Sequence, residues 1–223
     1  METAYPVRLE GHLETPSRWL WLVKWLLLIP HAIVLVFLWI ALILSTIVAF
    51  FAILFTGRYP RGIFDFNVGV LRWTWRVSFY SYNALGTDRY PPFSLQREDD
   101  YPAQLDVEYP ERLSHWLPLV KWLLAIPHLI IVGILVGAGA GGRAAHAGWW
   151  LEWGGLIGIL VLIAGVILLF TDKYPRGLFD FVMGLNRWAA RVGAYVLLMT
   201  DRYPPFRLDA GETDPSSSSS VAA

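Results

Sequence analysis

Residues 19–55 read WLWLVKWLLLIPHAIVLVFLWIALILSTIVAFFAILF and carry one full charge, Lys24. A helix crossing the ~30 Å hydrocarbon layer of a bilayer needs roughly 20 apolar residues, and this stretch exceeds that length. A soluble core helix would carry a polar face at helical period, and this one carries none. Residues 153–170, WGGLIGILVLIAGVILLF, are uncharged and nearly long enough to cross as well. Composition agrees: 56% of the 223 residues are hydrophobic and 16% are charged, against about a quarter charged in a typical soluble domain. The sequence therefore predicts an all-α integral membrane protein.

Working outward, the chain repeats itself. Trp19–His31 (WLWLVKWLLLIPH) matches Trp116–His128 (WLPLVKWLLAIPH) at 11 of 13 positions. Phe55–Tyr80 aligns without gaps on Phe170–Tyr195 with 15 of 26 identities, and TDRYPPF occurs at Thr87–Phe93 and again at Thr200–Phe206. The order is the same in both halves, which predicts two tandem units, residues 1–97 and 98–209, followed by a low-complexity, disordered tail at 210–223. The second unit carries an insertion at about 137–153, GAGAGGRAAHAGWWLEW, which reads as a loop ending in an interfacial Trp cluster. That loop separates two apolar runs, so each unit is expected to hold a helical hairpin, four spans in all. The rival reading of residues 18–55 is a Trp-rich interfacial helix, a bend at Pro30 and a single span; no Gly or Pro near Phe37–Ile40 marks a turn.

The rest of each unit lies outside the spans. Arg61–Tyr82 and Arg176–Leu198 have helical pattern, with Asp65, Gly69, Arg72 and Arg76 on one narrow face and Asp180, Gly184, Arg187 and Arg191 repeating it. With aromatics on the flanks, these helices are expected to lie in the headgroup plane. The double prolines of TDRYPPF favour extended chain, and Val7–Glu10 and Leu105–Glu108 alternate as short strands do. Residues 1–17 are too polar for a signal peptide. All Lys and Arg except Arg143 fall on one side of the hairpins, so both termini are predicted to be cytoplasmic. The 18 basic and 18 acidic residues cancel, which argues against a nucleic-acid partner. The chain has no cysteine, which removes disulfides, thiolate nucleophiles and Cys-based metal sites.

The blocks KWLLLIPH, FTGRYPRGIFDFNVGVLRW and TDRYPPFSL, with their second copies, resemble a bacterial membrane-protein family catalogued as domain of unknown function 4389. The resemblance covers most of residues 5–208. The second half departs from it through its Gly-rich insertion and through Ala190, which stands where the first half has Trp75. The resemblance implies a multi-pass protein of the bacterial inner membrane and implies no activity.

Two sets of polar residues are candidates for chemistry. Lys24 and His31, like Lys121 and His128, stand seven residues apart on one helix face inside apolar runs. Intramembrane ionisable groups are functional suspects. The plainer readings are a lysine snorkelling to the headgroups and a neutral imidazole bonded to a carbonyl freed by Pro30 or Pro127. The second set is Asp65, Arg72, Arg76, Asp180, Arg187 and Arg191, which form a structural ion-pair stripe or a site for anionic phospholipid headgroups. No cofactor is implied, and two histidines without further ligands do not make a metal site. No catalytic motif is present. The expected function is a non-enzymatic scaffold, accessory subunit or lipid-interacting membrane protein, partnered by lipids and by further copies or another membrane protein. The alternative is a small transporter or channel with Lys24, His31, Lys121 and His128 lining the path.

Overall fold

The structure, a computed structural model, describes residues 5–136 and 155–209. The inserted loop and the tail fall outside the described residues. The elements run β1 (Val7–Gly11), a short 3-10 turn (Leu20–Leu22), α1 (Lys24–Thr56), α2 (Arg61–Tyr80), β2 (Ala103–Val107), α3 (Leu117–Val136), α4 (Leu156–Thr171) and α5 (Arg176–Val196).

The first half holds no hairpin of spans. Residues Lys24–Thr56 form one unbroken 33-residue helix that runs through Pro30, about 50 Å long at 1.5 Å per residue. The missing turn residues near Phe37–Ile40 are the reason: nothing in that stretch interrupts the ladder. Pro30 is on the exposed side of the helix. The helix ends at Gly57, which adopts φ 67° and donates to the Ile53 carbonyl at 2.8 Å, a left-handed cap that glycine takes without steric cost. In the second half the equivalent apolar sequence is divided between α3 and α4, with α4 ending at Asp172 in the same left-handed conformation. Two helices, α1 and α3, are long and apolar enough to cross a membrane, and α4 is shorter.

A single stripe of α1 faces inward: Lys24, Leu28, His31, Leu35, Leu42, Ala49 and Ile53 are buried. That stripe meets α2 along its length. Ser45 donates to the Asn67 side chain at 2.7 Å, Trp39 donates to Thr74 at 3.2 Å, and the Asn67 amide donates to the Tyr59 hydroxyl at 2.9 Å. The outward faces of α1, α3 and α4 are apolar and open; Phe37 is 68%, Phe55 77% and Phe170 80% exposed.

The two strands form one antiparallel pair, with Val7 opposite Val107 and Leu9 opposite Leu105. Each strand packs on the helix of the other half, β1 on α5 and β2 on α2. Arg187 Nε donates to the Leu9 carbonyl at 3.2 Å, and Arg72 Nε to the Leu105 carbonyl at 3.0 Å. The aromatic flanks of α2, which the sequence predicted for a headgroup plane, are packed inside the protein. Phe64, Trp73, Trp75 and Phe79 are all 5% exposed or less and belong to the core.

Further ties join the halves. Arg18 pairs with Asp172 at 3.0 Å, the Leu113 amide donates to the Gly57 carbonyl at 2.9 Å, and Tyr174 donates to the Ala84 carbonyl at 2.8 Å. The start of α1 is therefore held beside the end of α4, and the start of α3 beside the end of α1.

Candidate functional site

The polar groups of the apolar helices converge with the TDRYPPF segments in two equivalent centres. In the first, Lys24 is fully buried. Its ammonium donates to the Thr87 carbonyl at 2.6 Å, pairs with Asp88 Oδ1 at 2.9 Å and lies 4.4 Å from the Tyr80 ring centre. The other carboxylate oxygen of Asp88 accepts the Ser17 amide just ahead of α1. In the second centre Lys121 donates to the Thr200 carbonyl at 2.9 Å and pairs with Asp201 at 2.7 Å, while Asp201 accepts the Ser114 amide at 2.6 Å. Neither lysine snorkels; the charge is met inside the protein by a carboxylate, a carbonyl and an aromatic face. The carboxylate in turn fixes the turn that starts the helix.

Two turns further along, the histidines are caged by rings from the same segments. His31 stacks on Phe93 at 4.0 Å with planes 13° apart, touches Tyr90 at 4.8 Å, and accepts at Nδ1 the indole N–H of Trp73 at 3.2 Å. His128 stacks on Phe206 at 4.1 Å and touches Tyr203 at 4.8 Å and Trp188 at 5.6 Å. The carbonyl bond expected after Pro30 is not made: His31 Nε2 and both nitrogens of His128 have no hydrogen-bond partner. Trp73 fixes Nδ1 of His31 as an acceptor, so the ring is the neutral tautomer protonated at Nε2.

The arginine stripe is internal too. Arg76 is 2% exposed and donates to the Ser94 and Gln96 carbonyls; Arg191, 3% exposed, donates to the Arg207 and Asp209 carbonyls at 2.8 and 2.6 Å. Each guanidinium thus straps the chain after YPPF against its helix. Gly69 and Gly184 let that chain approach: a Cβ on either would stand 2.9 Å from the Cβ of Leu95 or Leu208. Arg72 pairs with Asp106 of β2 rather than with Asp65, and Asp65 and Asp180 are exposed. At the surface, the bond from Arg18 holds the Asp172 carboxyl below its ordinary range.

Sequence reasoning missed Asp88 and Asp201 as the lysine partners, although they recur with the lysines in both halves. It missed the caging rings Trp73, Tyr90 and Phe93, whose signal was the same co-repetition. Among the described residues no group of three or more His, Asp or Glu could hold a metal ion.

One protein family, described as Domain of unknown function (DUF4389), matches residues 18–94 and 150–207. The first segment takes in α1, α2 and the first TDRYPPF, and the second α4, α5 and the second TDRYPPF. Neither a curated protein nor a solved structure matches the chain. The two matched segments cover more than half of the sequence and carry both caged centres apart from Lys121 and His128, and the chain belongs to the DUF4389 family.

Proposed function

We propose that the protein is a non-enzymatic scaffold or accessory subunit of the bacterial inner membrane, embedded through α1, α3 and α4, with its polar body and both termini on the cytoplasmic side. The observation that carries this reading is the division of the three helices. Their outward faces are apolar and open, while Lys24, His31, Lys121 and His128 turn inward and are packed. Exposed apolar patches on soluble monomers rarely exceed a few hundred Å²; three adjoining helices of this kind need lipid. Lys24, His31, Lys121, His128, Arg76 and Arg191 hold the TDRYPPF segments and the chain that follows them, which leaves none of these six presented to a substrate. The same packing weighs against transport, since a path would need the lysines and histidines to face water. Lipid contact then falls to the outward helix faces and to exposed charges such as Arg58, Arg61 and Arg176, rather than to Arg76 and Arg191.

The expressed chain should stay in the membrane pellet through alkaline carbonate extraction and need detergent for release. Recovery in the soluble fraction defeats the membrane reading. In proteoliposomes it should conduct neither protons nor small cations above the empty-vesicle rate. Flux that is lost in the His31→Gln/His128→Gln double variant would establish the transporter instead.

A further inference from the structure

The two halves treat one place differently. In the first half Tyr109, just after β2, lies against the start of α2. Its ring meets Phe64 edge-on at 5.0 Å, its hydroxyl donates to the Tyr59 carbonyl at 2.6 Å, and the Arg61 guanidinium sits 4.7 Å above the ring centre. The alignment that equates Phe55–Tyr80 with Phe170–Tyr195 makes Tyr174, Arg176 and Phe179 the counterparts of those three residues. In the second half all three line a cleft of about 840 Å³ between Glu10–Pro16 and the α4–α5 corner.

The sequence explains the opening. Setting Val7–Glu10 against Leu105–Glu108 places Gly11 where the first half's site has Tyr109. A side chain could not be added there, because a Cβ on Gly11 would lie 2.5 Å from the Phe79 ring and 2.8 Å from the Met183 methyl. Further along the chain, Pro16 stands just before Ser17 as Leu113 stands just before Ser114. The Leu113 amide ties its segment to Gly57; proline has no amide proton to do so. The segment ahead of Ser17 therefore cannot be tied to the end of α4 as Leu113 is tied to the end of α1. Among the described residues, no group donates to the Tyr174 carbonyl, and the side chains of Arg176 and Lys173 have no hydrogen-bond or ion-pair partner.

We propose that this cleft is a binding site for a hydroxylated aromatic ring. The ring would lie against Phe179 with the Arg176 guanidinium over its face, and its hydroxyl would donate to the Tyr174 carbonyl. The volume is that of a site for a drug-sized ligand, so the ring carries a substituent. The source is either a small phenolic compound or a tyrosine side chain of another polypeptide. The inference does not depend on the membrane reading.

The test uses the full chain in detergent and N-acetyltyrosinamide as probe, with N-acetylphenylalaninamide as the control that lacks the hydroxyl. Binding followed by saturation-transfer NMR should be saturable, at least about five-fold weaker for the control, and at least about five-fold weaker in Arg176→Ala, an exposed position. In Tyr109→Ala, which opens the equivalent space in the first half, the number of bound probes should rise from one to two. Should that variant not fold, the Arg176→Ala comparison alone decides. Equal binding of the two probes, or binding unaffected by Arg176→Ala, overturns the proposal. The source follows from the purified wild-type and Arg176→Ala proteins. A phenolic compound extracted by organic solvent only from the wild type identifies a small molecule. A tyrosine-bearing chain cross-linked at Lys173 only in the wild type identifies a protein.

Discussion

Lys24 shows how a charge is kept inside an apolar helix. Its pair with Asp88 is buried on the lysine side and only a quarter exposed on the carboxylate side, so removing one partner leaves the other charge without compensation. Lys24→Met is therefore expected to cost about 3–5 kcal/mol, read as a lower melting temperature in detergent. Adding Asp88→Asn, which keeps an acceptor for the Ser17 amide, should return most of that loss. A double variant as unstable as the single one would mean that the charge itself, and not its pairing, is required. The histidines allow a sharper comparison, because only His31 accepts an indole proton. Phenylalanine keeps the stack in both cages, but His31→Phe strands the Trp73 N–H at a cost of about 1–3 kcal/mol. His128→Phe strands nothing and should melt near the wild-type temperature; equal losses at the two sites would contradict the assigned bond. That lysine and histidine recur as a pair was legible in the sequence. Their partners were not, because Asp88 and Trp73 come from segments more than 40 residues away and no local pattern links them. Buried phenols add a pH dependence. Burial raises Tyr101 and Tyr174 above the ordinary value of 10.0, so the folded state favours their neutral form. That contribution is complete below pH 10 and is lost as the pH climbs toward the folded-state values. Phenolate absorbance should show these two titrating only with unfolding, and a reversible early titration of all ten tyrosines would refute their burial.

At the scale of the element, hydropathy identified the apolar helices, and helical period identified α2 and α5. It could not tell where α1 stops, since a hairpin of two short helices and one long helix have the same composition. The deciding sign was negative: no turn residue interrupts Phe37–Ile40, and the helix runs on. The aromatic flanks of α2 misled for a different reason. A ring suits a headgroup layer and a protein core equally well, and only the exchanged strand and the YPPF chain, which cover those flanks, separate the two. The close approach of that chain depends on Gly69 and Gly184. A Cβ there meets the side chain and the backbone carbonyl of Leu95 at 2.9 Å each, and of Leu208 at 2.9 and 3.0 Å; a carbonyl held by its own chain yields little. Gly69→Ala and Gly184→Ala should each destabilise by about 1–3 kcal/mol and speed proteolysis of the 94–97 and 207–209 segments. Variants that melt as the wild type would show that the strapped chain is free to shift.

For the whole molecule, the question is how a helix of about 50 Å meets a hydrocarbon layer of ~30 Å. If α1 stood upright it would carry its two ends to opposite sides. Its ends are instead both tied to the polar body. Lys24 is anchored by Asp88, Arg18 just before the helix by Asp172, and Gly57 just after it by Leu113. Its inner stripe stays packed on α2 from His31 to Asn67's partner Ser45. A helix held in this way runs along the body, and only its outer face is left open. The exchange of strands ties the halves further, since β1 and β2 hydrogen-bond to each other while each packs on the other half's helix, and neither half can then turn away from its fellow. The native chain has no cysteine, so single cysteines report position directly. Arg18→Cys and Arg58→Cys flank α1, and both native side chains reach solvent. Both are expected to resist an impermeant maleimide in intact cells and to react with it in inverted vesicles. Labelling of one from outside and the other from inside would mean that α1 crosses the membrane, and that the body described here is divided by it.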